Sequence, residues 1–292
     1  MGAGAVGCYF GGRLAQAGHA VTLIARPSHV AAVTSRGLLL ETAAGTETVQ
    51  VDATEDPAGV ADADLVIVSV KSDDVGEVGR QIAGHLGPDT QILSLQNGAD
   101  TAERLQAALN RPVIPAAVYV AVEMAGPGHV RHHGRGELVV GSGPASGALQ
   151  TLLREARIPT ELSDNVVGVL WTKLIVNCAY NALSAIPQLP YGDIVSEPGV
   201  PELMEDVVAE CLAVAQGLGV TAAGDVRAAV RGLAGSMPKQ LSSTAQDLAR
   251  GKRTEIDHLN GYVVRKAAEL GIPAPANRAL WVAVRLMEGK RG

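Results

Sequence analysis

Gly2-Ala-Gly-Ala-Val-Gly7 runs directly into a helical stretch through Tyr9, Phe10, Leu14 and Ala15 that stops at Gly18-His19. The spacing is Gly-x-Gly-x-x-Gly at the head of a helix. Its glycines let a backbone approach a pyrophosphate, and the helix N-terminus supplies free N–H groups and a partial positive charge. Gly2, Ala3, Gly4, Ala5, Val6 and Gly7 therefore form a candidate pyrophosphate cradle. In a chain with 34 glycines the spacing also arises by chance, so the next segment matters. Ala20-Val-Thr-Leu-Ile-Ala25 reads as a buried strand, which gives the loop, helix and strand order of a dinucleotide-binding unit. Only Met1 precedes Gly2. The strand that opens such a unit is missing ahead of the loop, so the natural start is expected about five to eight residues upstream, an ordinary strand being about five or six residues long.

The second strand ends at Arg26, followed by Pro27 and Ser28, where an NAD enzyme usually places an acid on the ribose diol. A guanidinium and a hydroxyl suit a 2′-phosphate better, which favours NADP(H). Residues 38–42 and 46–52 alternate as short strands. Asp64 to Val70 is a buried strand ending at Lys71, on the ligand-binding edge of a parallel sheet. A helix is expected over roughly 73–85, and Gln91-Ile-Leu-Ser-Leu-Gln-Asn-Gly98 forms a strand running into a tight Asn-Gly turn, which puts Asn97 on the same edge. Val113 to Val122 is a further strand, and 128–141 reads as a hairpin. Its His129, His132 and His133 lack accompanying Cys, Asp or Glu spacing, so no metal is expected.

Composition bounds the alternatives. The 292 residues are 47% hydrophobic with a net charge of −6, enough for two cores and without a basic stripe, so nucleic acid and anionic membrane are not expected partners. No uninterrupted apolar run reaches the ~18 residues of a membrane span. Three widely separated cysteines, Cys8, Cys178 and Cys211, suit reduced thiols in a cytoplasm.

After about residue 162 the pattern becomes helical, with a long helix capped by Ser163 or Asp164 and running to about Ala185. Further helices are expected over roughly 201–218, 225–234, 238–250, 254–270 and 276–288. The long helix that ends near Ala185 carries Trp171-Thr-Lys-Leu-Ile-Val-Asn-Cys-Ala-Tyr-Asn181. Lys173, Asn177 and Asn181 stand four residues apart, one turn above another on one face. Two readings fit: the wet face of an amphipathic helix, or a polar column that binds a small polar substrate. Later, Thr254 with Asp257 fits a capping box, which would place Glu255 in the first turn of a helix, where the dipole favours an acid.

The glycine loop, Arg26, Lys71, Gln96-Asn97-Gly98, Trp-x-Lys-x-x-x-Asn-x-x-x-Asn from Trp171, Ser242-Ser-x-x-Gln-Asp247 and Thr254-Glu-Ile-Asp-x-x-Asn-Gly261 follow one another across nearly the whole chain. As a set they resemble the ketopantoate reductase (2-dehydropantoate 2-reductase) family. The resemblance implies an α/β Rossmann-type domain with a mostly parallel sheet over 1–162. An all-α substrate-binding and catalytic domain over 163–292 would follow, with the active site where the two meet. It also implies reduction of ketopantoate to (R)-pantoate with NADPH, on the route to pantothenate and coenzyme A. Carried over by residue, Gly2 to Gly7, Arg26, Lys71, Asn97, Val122 and Glu255 bind the cofactor. Lys173 is the general acid, and Asn97, Lys173, Asn177, Asn181 and Ser243 bind substrate. Tyr191 departs from the family pattern, standing where some members have an asparagine on the substrate.

The residue chemistry agrees. Hydride delivery to a ketone carbon builds negative charge on oxygen, which an ammonium both stabilises and protonates. Two amides can orient a distal hydroxyl, and a neutral hydroxyl can hold a carboxylate. A reductase of another 2-oxo acid and a non-catalytic NADPH-binding sensor are the alternatives. The expected partner is a small 2-oxo acid in the cytoplasm. A homodimer stays open, because sequence does not set the oligomeric state.

Overall fold

The computed structural model describes residues 1–289. The chain divides into two compact units, one spanning Met1–Val166 and the other beginning at Val167.

The first unit opens on helix α1 (Ala5–Gln16), then strand β1 (Thr22–Ile24), helix α2 (Pro27–Arg36), and strands β2 (Leu38–Thr42), β3 (Gly45–Val49) and β4 (Asp52–Thr54). After a 3-10 turn come β5 (Leu65–Val68), a second 3-10 turn at Ser72–Asp74, α3 (Val75–Ala83), β6 (Gln91–Ser94) and α4 (Thr101–Leu109). The long strands β7 (Ile114–Gly126) and β8 (His129–Gly141), then α5 (Ser146–Glu155) and β9 (Thr160–Ser163), complete it. The expected strand over 46–52 is thus two, which belong to different sheets: β3 pairs antiparallel with β2, and β4 pairs parallel with β1.

The larger sheet runs β3-β2-β8-β7-β6-β5, with β9 beside β8. Only the β2/β3 and β7/β8 pairs among the described residues are antiparallel, and β1 with β4 forms a separate two-stranded sheet. Among the described residues β1 pairs only with β4, and the carbonyl of Ile24 at its end accepts the amides of Gly2 and Ala3.

Two apolar layers cover the sheets. Cys8, Tyr9, Phe10 and Leu14 of α1 pack with β2, β7, β8 and Leu149 and Leu153 of α5. Val75, Val78 and Ile82 of α3 and Leu105 and Leu109 of α4 pack with Ile24, Val66, Val68 and Ile92. The apolar positions on these helices recur at three and four residues, which is the stripe that a covered sheet face requires. Helices α2, α4 and α5 were not among the sequence expectations. They are short and rich in Ala, Thr and Ser, so their apolar stripe is thin.

In the second unit, α6 (Val166–Ala185) is followed by the single turn α7 (Tyr191–Ile194), α8 (Val200–Gly217), α9 (Val226–Ser236), α10 (Ser243–Ala249), a 3-10 turn at Ile256–His258, α11 (Asn260–Leu270) and α12 (Pro275–Gly289). By length and composition α6 alone among the described helices could cross a membrane, with mean hydropathy 1.4 over an 18-residue window, 61% of it buried. Trp171, Leu174, Ile175, Cys178 and Ala182 form its buried side, so its hydropathy is that of a core helix.

Two expected boundaries shift. The helix over 238–250 shortens to α10, because Ser242 caps it by accepting the amide of Ala245. The helix over 254–270 breaks in two. Thr254 accepts the amide of Ile256 and donates its hydroxyl to Glu288, while Asp257 accepts from Trp281 and Arg285. Both capping-box residues are committed elsewhere, so no capping box forms. Glu255 precedes a 3-10 turn and does not lie in the first turn of α11.

Candidate functional site

The glycine loop is held from within. The amide of Gly4 donates to the carbonyl of Gly2 at 2.7 Å, and Ser69 Oγ donates to the same carbonyl at 2.9 Å. Gly2 has φ +82°, and a Cβ there would meet Val70 atoms at 2.4–3.0 Å, so a side chain is excluded twice over. At Gly7 a Cβ would lie 2.6 Å from Ser69 Oγ and 2.8 Å from the Gly2 oxygen. Gly4 differs: it is exposed, its missing Cβ would meet only the Gly2 oxygen at 4.0 Å, and no side chain caps α1. The loop is packed on its inner side and open on its outer side, and the first amides of α1 lack a side-chain cap. That combination fits a dinucleotide pyrophosphate.

Arg26 follows β1 as the exposed N-cap residue of α2, in an extended conformation with Pro27 at the first helical position. Its charge reaches His29, whose pKa is held below the usual value first by burial and then by the Arg26 guanidinium. His29 Nδ1 accepts the amide of Gly128, which fixes this turn against the β7–β8 connection. A cation beside a helix N-terminus is a fit for a phosphate monoester.

Lys71 and Asn97 are brought to one sheet edge by a direct link between their loops. Ser72 Oγ donates to the carbonyl of Asn97 at 2.9 Å, and Arg104 donates to the carbonyl of Ser72 at 2.8 Å. Lys71 is exposed and Asn97 half-buried. Next to Asn97, the Gln96 side chain is 4% exposed, its oxygen accepts from Ser94 Oγ, and its Nε2 donor is buried without a partner. Val122 sits on β7 beside a register irregularity opposite His132, half-buried on the core layer that covers α1. Of the hairpin histidines, His129 and His133 pair with Glu41 and Glu123, and His132 stacks on Tyr9 at 4.5 Å.

In the second unit the column on α6 grades from half-buried Lys173 and Asn177 to Asn181, which is 3% exposed. A merely wet face would not bury its last member. Ser242 Oγ donates to the carbonyl of Asn181 at 3.1 Å while accepting the amide of Ala245, and its own amide donates to Ser184 Oγ. This clasp sets the exposed Ser243 at the head of α10, beside the inner end of the column. Glu255 is half-buried in the turn before α11.

The supports of α6 were not anticipated from sequence. Asn260 Nδ2 donates to the carbonyl of Cys178 and to Asn277 Oδ1, and Asn277 in turn donates to Glu210, which also accepts the amides of Ala276 and Asn277. The only sequence signal was Asn260 within the Thr254 to Gly261 motif. Tyr191 is a core residue: its ring lies 4.8 Å from Tyr180, and burial pushes its phenol up to about 12.

The profile described as "Ketopantoate reductase PanE/ApbA" matches residues 1–145, and its C-terminal counterpart matches 165–288. A 2-dehydropantoate 2-reductase of Pyrococcus horikoshii is 32% identical over 300 aligned positions, which cover 100% of this chain and 97% of that protein. The enzyme of the same name from Halobacterium salinarum is 33% identical, covering 99% and 97%. A crystal structure of a PanE/ApbA family ketopantoate reductase from Ralstonia eutropha JMP134 superposes with a TM-score of 0.97 at 56% identity, covering 100% of this chain and 98% of that one. With both halves matched and full-length relatives above 30% identity, the chain belongs to the ketopantoate reductase family.

Proposed function

We propose that this protein is an NADPH-dependent 2-dehydropantoate 2-reductase, which reduces ketopantoate to (R)-pantoate for pantothenate and coenzyme A synthesis in the cytoplasm. The observation that carries the reading is the polar column of α6, buried at its Asn181 end and clasped there to the helix that begins with Ser243. Membership of the family supports it. NADPH, when bound, supplies the hydride that reaches the carbonyl carbon. Lys173 Nζ stabilises the charge growing on the carbonyl oxygen and gives up its proton to it. The amides of Asn177 and Asn181 orient the distal hydroxyl, Ser243 donates to the carboxylate, and Asn97 holds the reacting end. Arg26 and Lys71 take the phosphorylated adenosine, Gly2 to Gly7 the pyrophosphate, and Val122 and Glu255 make further cofactor contacts.

The test is NADPH oxidation with ketopantoate, comparing the chain with Lys173→Ala. Loss of a general acid is expected to lower kcat by about 10²- to 10⁴-fold with NADPH affinity retained. Undiminished turnover in the variant would end the assignment of Lys173.

A second reading, a reductase of another 2-oxo acid, is favoured by Tyr191. Its ring is used in the core against Tyr180, so this position offers no amide to a substrate hydroxyl. A panel of 2-oxo acids in which kcat/KM is highest for ketopantoate would remove that reading. Absence of turnover with every oxo acid would leave an NADPH-binding sensor.

A further inference from the structure

Lys71 and Asn97 each lie three residues beyond the last pair of the β5–β6 ladder, Val68 opposite Ser94. Past that point a side chain joins the two loops. Ser72 is fully buried, although Lys71 and Asp73 on either side of it are exposed. A turn serine ordinarily faces water, and a buried hydroxyl needs a partner. That partner is the carbonyl of Asn97, which accepts from Ser72 Oγ at 2.9 Å.

The Ser72 carbonyl is held in turn by α4. It accepts from Arg104 Nη2 at 2.8 Å, and Nη1 of the same guanidinium lies 4.0 Å from Asp100 Oδ1. Asp100 is the N-cap residue of α4 but its side chain caps no amide, so the carboxylate serves to orient the guanidinium fork. The helix behind Arg104 is a firm base. Leu105 is fully buried, and a Cβ at Gly79 of α3 would lie only 2.6 Å from Ala108 Cβ, so α3 and α4 touch closely. The bonds therefore run from a packed helix through Arg104 and Ser72 to the turn that carries Asn97. A guanidinium that only capped its own helix would not reach a loop carbonyl 32 residues away.

We infer that Ser72 and Arg104 are positioning residues for NADPH, forming a clamp that holds Lys71 and Asn97 in one fixed relation. The inference rests on the cofactor roles proposed above for Lys71, at the phosphorylated adenosine, and Asn97, at the reacting end. With the clamp closed, a shift of either loop stretches the Ser72–Asn97 bond, so occupation of one end constrains the other. With the clamp removed, the two loops respond separately. Residues joined through one hydrogen-bond network are energetically coupled, whereas independent ones are additive.

The experiment is a double-mutant cycle read by fluorescence titration with NADPH. Lys71→Ala, Asn97→Ala and the double variant are compared with Ser72 and Arg104 in place, then in Ser72→Ala and in Arg104→Ala. With the clamp in place, the two effects on Kd are expected to depart from a simple product by about fivefold or more. In either clamp variant they multiply to within about twofold. Urea denaturation midpoints separate this from a structural role: a lower midpoint in the clamp variants with the coupling unchanged would overturn the proposal. Effects of Lys71→Ala and Asn97→Ala that are already independent with the clamp in place would remove the clamp alone. Unchanged NADPH binding in both would remove their cofactor roles and the clamp with them. The readout is binding and not turnover, so the identity of the 2-oxo acid does not enter.

Discussion

Gly4 and Gly7 stand three residues apart in one loop and exclude a side chain for different reasons. Gly7 has no room: a Cβ would strike Ser69 Oγ and the Gly2 carbonyl, which is backbone and cannot step aside. Gly7→Ala is therefore expected to cost about 1–3 kcal/mol of stability by overpacking and to weaken NADPH binding by shifting the loop. Gly4 faces open space, so Gly4→Ala leaves the denaturation midpoint in place and weakens only NADPH, measured by fluorescence titration. Equal effects at both sites would mean that the outer side of the loop does not receive the pyrophosphate. At the next turn, Arg26→Ala is expected to raise the KM for NADPH by about tenfold or more, the worth of one charge-assisted phosphate contact, with little change for NADH. The pair of cofactors is the control, because only one carries the 2′-phosphate.

At the scale of elements, a hydroxyl that was not singled out from sequence does the positioning. Ser242 caps α10 and ties it to the carbonyl of Asn181 on α6. Losing a cap costs about 1 kcal/mol, and losing a buried hydrogen bond about as much again. Ser242→Ala is expected to lower unfolding free energy by about 2 kcal/mol in urea with an unchanged m-value. It should also raise the KM for the 2-oxo acid and leave NADPH affinity alone, because Asn181 and Ser243 lose their mutual register. A fall in stability without the change in KM would make the clasp purely structural. The same element holds a second tie, the Asn260–Asn277–Glu210 chain. There the amide nitrogens of Asn260 and Asn277 and the Asn277 oxygen have partners, while Asn260 Oδ1 is buried without one, and the bonds that form tie together α6, α8, α11 and α12.

Over the whole molecule, stability should depend on pH through the buried Met1 amine. Its pKa falls from 8.0 to about 6 on folding, through burial, with the neighbouring Cys8 opposing. A base whose folded pKa is lowered binds its proton more tightly when unfolded, so its effect is absent above about pH 8 and destabilises progressively as pH falls toward 6. Two units correspond to about 3 kcal/mol. Chemical denaturation at pH 8.5 and pH 6 checks this, and a chain prolonged ahead of Met1 should lose the dependence in that window. A flat profile in the present chain would show that the amine reaches water.

The sequence by itself determined the succession of α1, β1, β2, β5, α3, β6, β7 and β8 in the first half, the glycine spacing ahead of α1, the place of Arg26 after β1, the edge positions of Lys71 and Asn97, and the spacing of Lys173, Asn177 and Asn181. Each of these is a local matter: a glycine count over six residues, a strand followed by a turn, or a period of four on one helix, all set by backbone geometry within a few residues. The tertiary structure decided what depends on distant partners. Thr254 and Asp257 look like a capping box until Glu288, Trp281 and Arg285 arrive to occupy them. A run over 46–52 looks like one strand until β2 claims its first part and β1 its last. Asn181 could be a wet residue or a buried one, and only the packing of α10 against it closes the choice. The physical reason is the same in each case: a hydrogen-bonding group has more than one admissible partner along the chain, and which it takes is settled by neighbours that sequence distance does not reveal.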